Sequence, residues 1–292
     1  MRVTDGMRQT ATREAQSLAV ERLQRATQQA VSGKRVQAPQ DDPAGFARIT
    51  QNGASVERWQ SRTSALSLAE GDSQIAESAL ASASDIFSRL KEIAVQMADG
   101  TASASDRAVS AKEVTALRQQ LVDLGNTRGS SGYLFGGTKT DTPPFDNAGA
   151  FSGNDGVIAV ETSDGVTVRK NASGADAFTA TGGRDVLADV AALATALATD
   201  NVAGIQSSIG FVGQGHDQLV RARAETGIQL DRMKMAQEVA SGATLALQTA
   251  QAHDSEIDVT EAFSALSDAQ QAYERSIEIS RRTLAMFDIK NM

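Results

Sequence analysis

The most constraining feature of the sequence is a heptad-like repeat near its C-terminus. Mostly apolar side chains recur there at alternating spacings of four and three residues, which is typical of a helix that packs lengthwise along another helix. The positions of the repeat are Val259, Phe263, Leu266, Gln270, Tyr273, Ile277, Ser280, Leu284 and Phe287. The repeat predicts a terminal helix, capped by Asp258, whose apolar seam needs a partner helix.

A second amphipathic helix is predicted near the N-terminus. Its apolar stripe is narrow and mostly alanine, with the spacings of three and four that one helix face requires. The segment Ser32–Arg35 ends this helix, because Gly33 can adopt the left-handed conformation that closes a helix. The stripe consists of Ala11, Ala15, Leu18, Ala19, Leu23, Ala26 and Ala30. Since both end helices otherwise lack a partner, we expect them to pair with each other.

Further helices are predicted in the interior of the chain. Asp42 and Pro43 indicate where the longest one begins, because an aspartate caps free backbone N–H groups and a proline at the first helical position needs no N–H of its own. Asp99-Gly100 predicts its end near Ala98, and a short extended piece is expected before it at Val36–Gln40. The remaining helical periodicity covers 105–124, 186–197 and the chain from 202 onward.

The middle of the chain has a different composition, rich in Gly, Asp, Thr and Asn. Val157–Glu161 and Val166–Val168 flank Ser163-Asp164-Gly165, and Asp-Gly between β-branched runs predicts a β-hairpin. Tyr133, Leu134 and Phe135 are expected to pack the base of this insert against the helices. A chain with 12 aromatic residues and 49 alanines has few large side chains for a thick core, so its helices must lie close together.

These patterns predict a mainly α fold. We expect an elongated rod of long antiparallel helices, coiled-coil-like, with paired N- and C-terminal helices and a small β-rich insert at the distal end. The predicted segments are 1–42 (assembly helix and linker), 43–130 (first half of the rod), 131–183 (insert), 184–253 (second half of the rod) and 254–292 (C-terminal assembly helix).

Several classes of function are disfavoured by composition. The formal charge of −8 (28 basic and 36 acidic residues), without a long basic run, argues against nucleic-acid binding. The chain has no Cys, and its two His lack a metal-binding spacing. No apolar stretch reaches the length of a signal peptide or a membrane span. We expect no catalytic site, no cofactor, no metal and no membrane insertion.

Two pairs of motifs carry a family resemblance. Ser32-Gly33-Lys34-Arg35-Val36 followed by Asp41-Asp42-Pro43-Ala44-Gly45 resembles the N-terminal segment of bacterial flagellins and flagellin-like axial proteins, and 92–101 is similar to the end of their second long helix. Within that superfamily, 132–145 and 220–230 resemble the hook-filament junction family, hook-associated protein 3, rather than flagellin.

The resemblance implies a structural protein of the extracellular flagellum. It implies secretion by the flagellar type III export apparatus without a cleaved signal peptide. A ring would then assemble between the first hook-associated protein and flagellin, through self-contacts of the terminal helices. It also implies a cytosolic export chaperone on the C-terminal helix. The alternatives are a flagellin that forms the filament itself and, from another class, a cytosolic coiled-coil scaffold.

Assembly and partner contacts are assigned to the two ends of the chain. For the C-terminal positions, an intramolecular coiled-coil core is the alternative, and the two roles are compatible. The assigned residues are Leu18, Leu23, Ser32, Gly33, Lys34, Arg35, Asp42, Pro43, Val259, Phe263, Leu266, Tyr273, Ile277, Leu284 and Phe287.

The N-terminal helix is expected to depend on association for its stability. Ordering each residue of 7–31 costs on the order of 1 kcal/mol, whereas a buried methylene returns only about 0.8 kcal/mol and an alanine stripe has few of them. We therefore expect this helix to be mobile in the free subunit and ordered in the polymer.

Overall fold

The computed structural model describes the backbone of residues 2–290 and the side chains of residues 7 and 10–282. Within that range the chain is mainly helical, and the predicted combination of long helices with a small β insert is confirmed. The helices are α1 (Arg2–Ser32), α2 (Pro43–Met97), α3 (Ala104–Gly125), α4 (Gly174–Phe178), α5 (Val186–Ala198), α6 (Val202–Ser255) and α7 (Val259–Lys290), with a 3-10 turn at Ala180–Gly182. The strands are β1 (Arg128–Gly129), β2 (Gly132–Tyr133), β3 (Ala159–Ser163) and β4 (Val166–Arg169).

The chain forms two compact units, which are described separately. The terminal unit comprises residues 1–58 and 243–292, and the central unit comprises residues 59–242. The segment boundaries predicted from the sequence stay a prediction.

The core of the central unit is shared by helices and insert. Phe135, Phe145 and Phe178 are fully or almost fully buried among apolar residues of α2, α3, α5 and α6. The ring of Phe178 lies edge-on to Phe135 (centroids 5.5 Å apart) and to Phe145 (5.4 Å). The expectation that Leu134 and Phe135 pack the base of the insert against the helices is confirmed. Tyr133, expected beside them, does not belong to this cluster and lies half-buried under the Arg128 guanidinium.

The insert contains two antiparallel hairpins. In the second one, β3 pairs with β4 around a turn in which Gly165 has φ 76°, as the Asp-Gly signal predicts. The first hairpin, Arg128–Tyr133, begins before the segment where strands are expected. The short helix α4 and the 3-10 turn were not predicted, because each is only one or two turns long and gives no periodic pattern.

Arg107 links two interhelical turns at one end of the central unit. The residue is only 4% exposed, and its guanidinium donates to the carbonyl oxygens of Met97 and Asp99 and to the carboxylate of Asp200. Asp200 has φ 56°, an uncommon conformation for a residue other than glycine. One buried side chain therefore closes both the α2–α3 turn and the α5–α6 turn.

Candidate assembly surface

The two end helices pair with each other inside the terminal unit. Lys34 and Glu256 form an antiparallel β-bridge where α1 ends and α7 is about to begin, so the helices run antiparallel. Ala19 and Ala26 of α1 are buried, and so are Ala262 and Ala269 of α7. The pairing predicted from the two amphipathic patterns is confirmed.

The seam of α7 differs from the predicted one. Val259 is 66% and Phe263 is 57% exposed, and Gln270 is exposed as well, so the expectation that these three positions line a covered seam is wrong. Ala262 and Ala269 face α1 instead, because small side chains let two helix backbones approach closely. We call one row of buried or half-buried residues on each helix "the seam": Thr12, Gln16, Ala19, Leu23, Ala26 and Ala30 of α1 and Ala262, Leu266, Ala269, Tyr273, Ser276 and Ser280 of α7.

The other assigned positions of the end helices fall into distinct environments. Leu23, Leu266 and Tyr273 belong to the seam, and Ile277 is half-buried beside it. Leu18 is 54% exposed, so the α1 stripe is only partly covered. Leu284 and Phe287 lie outside the residues whose side chains the structure describes. The assembly role of all these residues stays a prediction.

A shallow apolar groove runs along one flank of the α1–α7 pair. Its apolar lining includes the small side chains of Ala11, Ala15 and Ala272 and the larger ones of Leu18 and Ile279. The guanidinium groups of Arg22 and Arg275 border it. The groove therefore combines an apolar lining with two positively charged side chains.

Two interruptions of the helices meet beside this pair. We call the segments 33–42 and 256–258 together the double break. Gly33 has φ 68° and closes α1, as its sequence context predicts. The N–H of Arg35 donates to the Ser255 carbonyl oxygen at 2.7 Å, and the N–H of Ile257 donates to the Gly33 carbonyl oxygen at 3.1 Å. Main-chain hydrogen bonds thus fix the two interruptions to each other.

Carboxylates organise the backbone of the double break. Asp42 caps α2 by accepting from the N–H of Gly45 at 2.9 Å, and α2 begins at Pro43, both as predicted. Asp41 accepts from the N–H groups of Gln37 and Ala38. The expected extended piece 36–40 is therefore wrong in its second half, where the chain turns instead.

Ion pairs tie the first turns of α2 to the end of α6. Arg48 forms a bidentate pair with Asp254, with Nε–Oδ2 and Nη2–Oδ1 distances of 3.0 and 2.7 Å. Arg35 donates to the Asp254 carbonyl oxygen at 3.0 Å and, more loosely, to the Asp42 carboxylate. The sequence alone gave no signal for Arg48 or Asp254, because 206 positions separate them.

Hydrogen bonds and positive charge keep these carboxylates ionised. The Arg48 guanidinium lowers the pKa of Asp254 below its ordinary value of 3.8. The N–H of Gly45 lowers the pKa of Asp42, and the N–H of Thr260 lowers that of Asp258, which caps α7 as predicted. The double break is therefore assembled with its acids in the charged form.

Acid is expected to loosen the double break. A carboxylate with a lowered folded-state pKa contributes stability that is present above its unfolded-state pKa and is lost as the pH falls through the folded-state value. Protection of the Arg35 amide, corrected for intrinsic exchange rates, should be constant from neutral pH down to about pH 5 and fall below about pH 4. Hydrogen exchange with residue resolution measures this.

Asp254→Asn separates this effect from general acid unfolding. The variant should show reduced Arg35 protection already at neutral pH and a smaller further loss in acid. Asp268→Asn, which changes an exposed carboxylate on α7, serves as the matched control and should behave like the unsubstituted chain. An Asp254→Asn chain with unchanged protection would contradict the role given to the Arg48–Asp254 pair.

A metal site and a membrane span find no support in the part of the chain that the structure describes. No group of three or more His, Asp or Glu side chains there could hold a metal ion. Among the described helices, none is both long and apolar enough to cross a membrane.

Residues 3–140 match the family described as the bacterial flagellin N-terminal helical region. The match covers a little under half of the chain, and this part of the chain is similar to that family. The match begins in α1, contains the first interruption, α2 and α3, and ends in the insert. It therefore includes one helix of the α1–α7 pair and half of the double break.

Curated relatives come from two groups of flagellar proteins. Flagellar hook-associated protein 3 of Escherichia coli K12 is 34% identical over 119 residues, which are 40% of this chain and 38% of that protein. Its namesake in Salmonella typhimurium is 29% identical over 153 residues, 52% of this chain and 48% of that protein. Flagellin of Listeria monocytogenes is 31% identical over 107 residues, 37% of each chain. The matches thus span less than half the length of each relative.

A solved structure supports the fold over a longer stretch. Hook-associated protein 3 of Legionella pneumophila has a TM-score of 0.59 at 15% identity, covering 70% of this chain and 97% of that one. At this identity the likeness establishes a shared fold.

Proposed function

We propose that this chain is a structural subunit of the bacterial flagellum that joins the hook, through the first hook-associated protein, to the flagellin filament. The observation that carries the proposal is the α1–α7 pair, in which exposed apolar side chains lie on both sides of a covered seam. Such surfaces mark association sites. The hook-associated proteins 3 among its relatives and structural neighbours favour the junction over other flagellar positions.

The phenotype of a deletion tests this function. Cells that lack the chain should build hooks without filaments and should release flagellin into the medium, because export continues while the first filament subunits have nothing to attach to. Re-expression of the chain should restore filaments. Filaments of normal length on the deletion strain would exclude a junction role.

A filament subunit is the second candidate, favoured by the match to flagellin. The two functions differ in copy number. A junction protein should be present in sheared flagella only in the few copies that form one ring per filament, whereas a filament subunit should account for most of the sheared protein. Quantitative gel analysis of sheared flagella distinguishes them.

The export route is also part of the proposal. We expect secretion through the flagellar type III apparatus and a cytosolic chaperone that holds α7 beforehand, covering apolar residues such as Phe263 that α1 leaves exposed. Truncation after Glu256 should abolish the chaperone complex in a pull-down from cytosol of export-deficient cells. Retained binding would place the chaperone elsewhere on the chain.

A further inference from the structure

A small cavity of the central unit is bordered by α2, α4, α6 and the chain segment at the end of β4. The five consecutive residues 169–173 belong to its lining, and Leu80 of α2 and Ala222 of α6 add apolar surface. We call it the Arg169 cavity. Its volume is about 50 Å³, which accommodates a group the size of a carboxylate but not a nucleotide or a sugar.

Several hydrogen-bond donors in this lining have no acceptor. Within the described part of the chain, Nε of Arg169 is the one buried side-chain nitrogen or oxygen atom without a partner. No described residue accepts a hydrogen bond from the N–H of Asn171, Ala172 or Ser173, and the first two of these residues are buried. Buried donors without an acceptor are rare because each costs free energy. This concentration of donors within five residues indicates a site for an acceptor from outside the chain.

Other hydrogen bonds hold this segment in place. The N–H of Lys170 donates to the carbonyl oxygen of Ile158 at 2.8 Å, and the Ser73 hydroxyl donates to the carbonyl oxygen of Lys170 at 3.0 Å. The Asn171 side chain accepts from the N–H of Ile158 at 2.8 Å and donates to the carbonyl oxygen of Gly156 at 2.9 Å. The donors are therefore positioned before a ligand arrives, which lowers the entropic cost of binding.

The lining also carries charges of both signs. Glu225 and Asp176 contribute exposed carboxylates, and neither forms an ion pair with Arg169 or with another described side chain. The ammonium group of Lys170 is already paired with Asp72 at 3.2 Å. A purely anionic ligand is attracted by the guanidinium and repelled by the two carboxylates. A ligand with one carboxylate and one ammonium group matches both signs.

We propose that the Arg169 cavity binds a small zwitterion of the α-amino-acid type. The ligand's carboxylate accepts from Arg169 and from the N–H groups of 171–173, and its ammonium group faces Glu225 and Asp176. Arg169 belongs to β4 and Glu225 to α6, so the bound ligand joins the insert to the helices. This inference goes beyond the flagellar function proposed above and does not depend on it.

Titration of the full chain with glycine at neutral pH, followed by NMR of the backbone amides, tests the proposal. The amide shifts of Asn171, Ala172 and Ser173 should change and saturate with a dissociation constant on the order of 1 mM. Acetate, which lacks the ammonium group, should bind about threefold more weakly or worse. Methylammonium, which lacks the carboxylate, should leave these shifts unchanged.

Two variants change affinity and selectivity separately. Arg169→Gln should weaken glycine binding about tenfold or more, because it removes a charge-assisted hydrogen bond. Glu225→Gln alters an exposed side chain, and it should weaken glycine and strengthen acetate, so that the preference for glycine is lost. Arg221→Gln, which changes an exposed arginine of α6 outside the lining, is the matched control and should keep the original affinity.

Each contrary result overturns a defined part of the inference. Amide shifts that do not saturate with glycine would mean that water serves these donors, and the site would be refuted. Equal affinities for acetate and glycine, or a preference that Glu225→Gln leaves unchanged, would refute the zwitterion as the ligand class. Because the titration uses the purified chain, its result is separate from the deletion phenotype that tests the junction function.

Discussion

Replacing Phe178 by alanine is expected to lower the free energy of unfolding of the central unit by about 3–5 kcal/mol. The Phe178 side chain is fully buried and contacts the rings of Phe135 and Phe145 edge-on. Its removal leaves a cavity between insert and helices that rigid neighbours fill only in part. Urea unfolding followed by the fluorescence of Trp59, the single tryptophan of the chain and part of this unit, measures the change.

Leu68→Ala provides the matched control for this prediction. Leu68 belongs to the same unit but is 60% exposed, so its truncation should change the stability by no more than about 0.5 kcal/mol. If Phe178→Ala were equally mild, the insert would contribute little to the core of the central unit, contrary to the shared cluster described above.

Replacing Arg107 by alanine is expected to cost about 2–4 kcal/mol in the same assay. The substitution removes the guanidinium donor from the carbonyl oxygens of Met97 and Asp99, of which Asp99 keeps the N–H of Ala102, and it removes the partner of Asp200. Breaking an ion pair whose two side chains are both fully buried costs more free energy of unfolding than this. The Asp200 side chain is 50% exposed, so water can solvate its carboxylate in the variant and reduce the cost.

Two variants show whether the cost reflects the position of Arg107 or only its charge. Arg107→Lys keeps the charge but lacks the planar fork that reaches three acceptors, and it should recover only a minor part of the loss. Arg89→Ala removes an exposed arginine that pairs with Glu92 and Glu113, and it should cost at most about 1 kcal/mol. Equal effects of Arg107→Ala and Arg89→Ala would contradict the assigned role of Arg107.

Local signals predicted the ends of most elements. Gly33, Asp42 with Pro43, Asp258 and the Asp164-Gly165 turn each act through hydrogen bonds or backbone angles within a few residues. Such interactions depend only on residues that are close in sequence, so they can be recognised without knowing the fold.

The orientation of α7 was not predictable in the same way. The heptad-like pattern selects the large side chains, yet the face against α1 includes Ala262 and Ala269, while Phe263 is left outside. In an alanine-rich chain the closest helix approach, rather than the largest apolar row, decides which face is covered. Of the large residues in the pattern, Leu266 and Tyr273 belong to the seam, whereas Val259 and Phe263 do not.

Long-range polar contacts also escaped sequence analysis. Gln218 is 2% exposed, and its side chain donates to the carbonyl oxygens of Ala177, Thr179 and Arg184. A glutamine within a helix gives no hint of such a role, because its acceptors belong to the insert and to the segment after it. The same holds for Arg48 and Asp254, whose partnership exists only once α2 and α6 are side by side.

The double break has a consequence for how this region can vary among descendants of the gene. Its central hydrogen bonds join the N–H of Arg35 and Val36 to the oxygen of Ser255 and the N–H of Ile257 to the oxygen of Gly33. Main-chain atoms are common to all residue types other than proline, which lacks the N–H. Point substitutions other than proline at the exposed Lys34 should therefore be inherited with little penalty. Gaining or losing one residue in either loop would instead displace all of these main-chain hydrogen bonds.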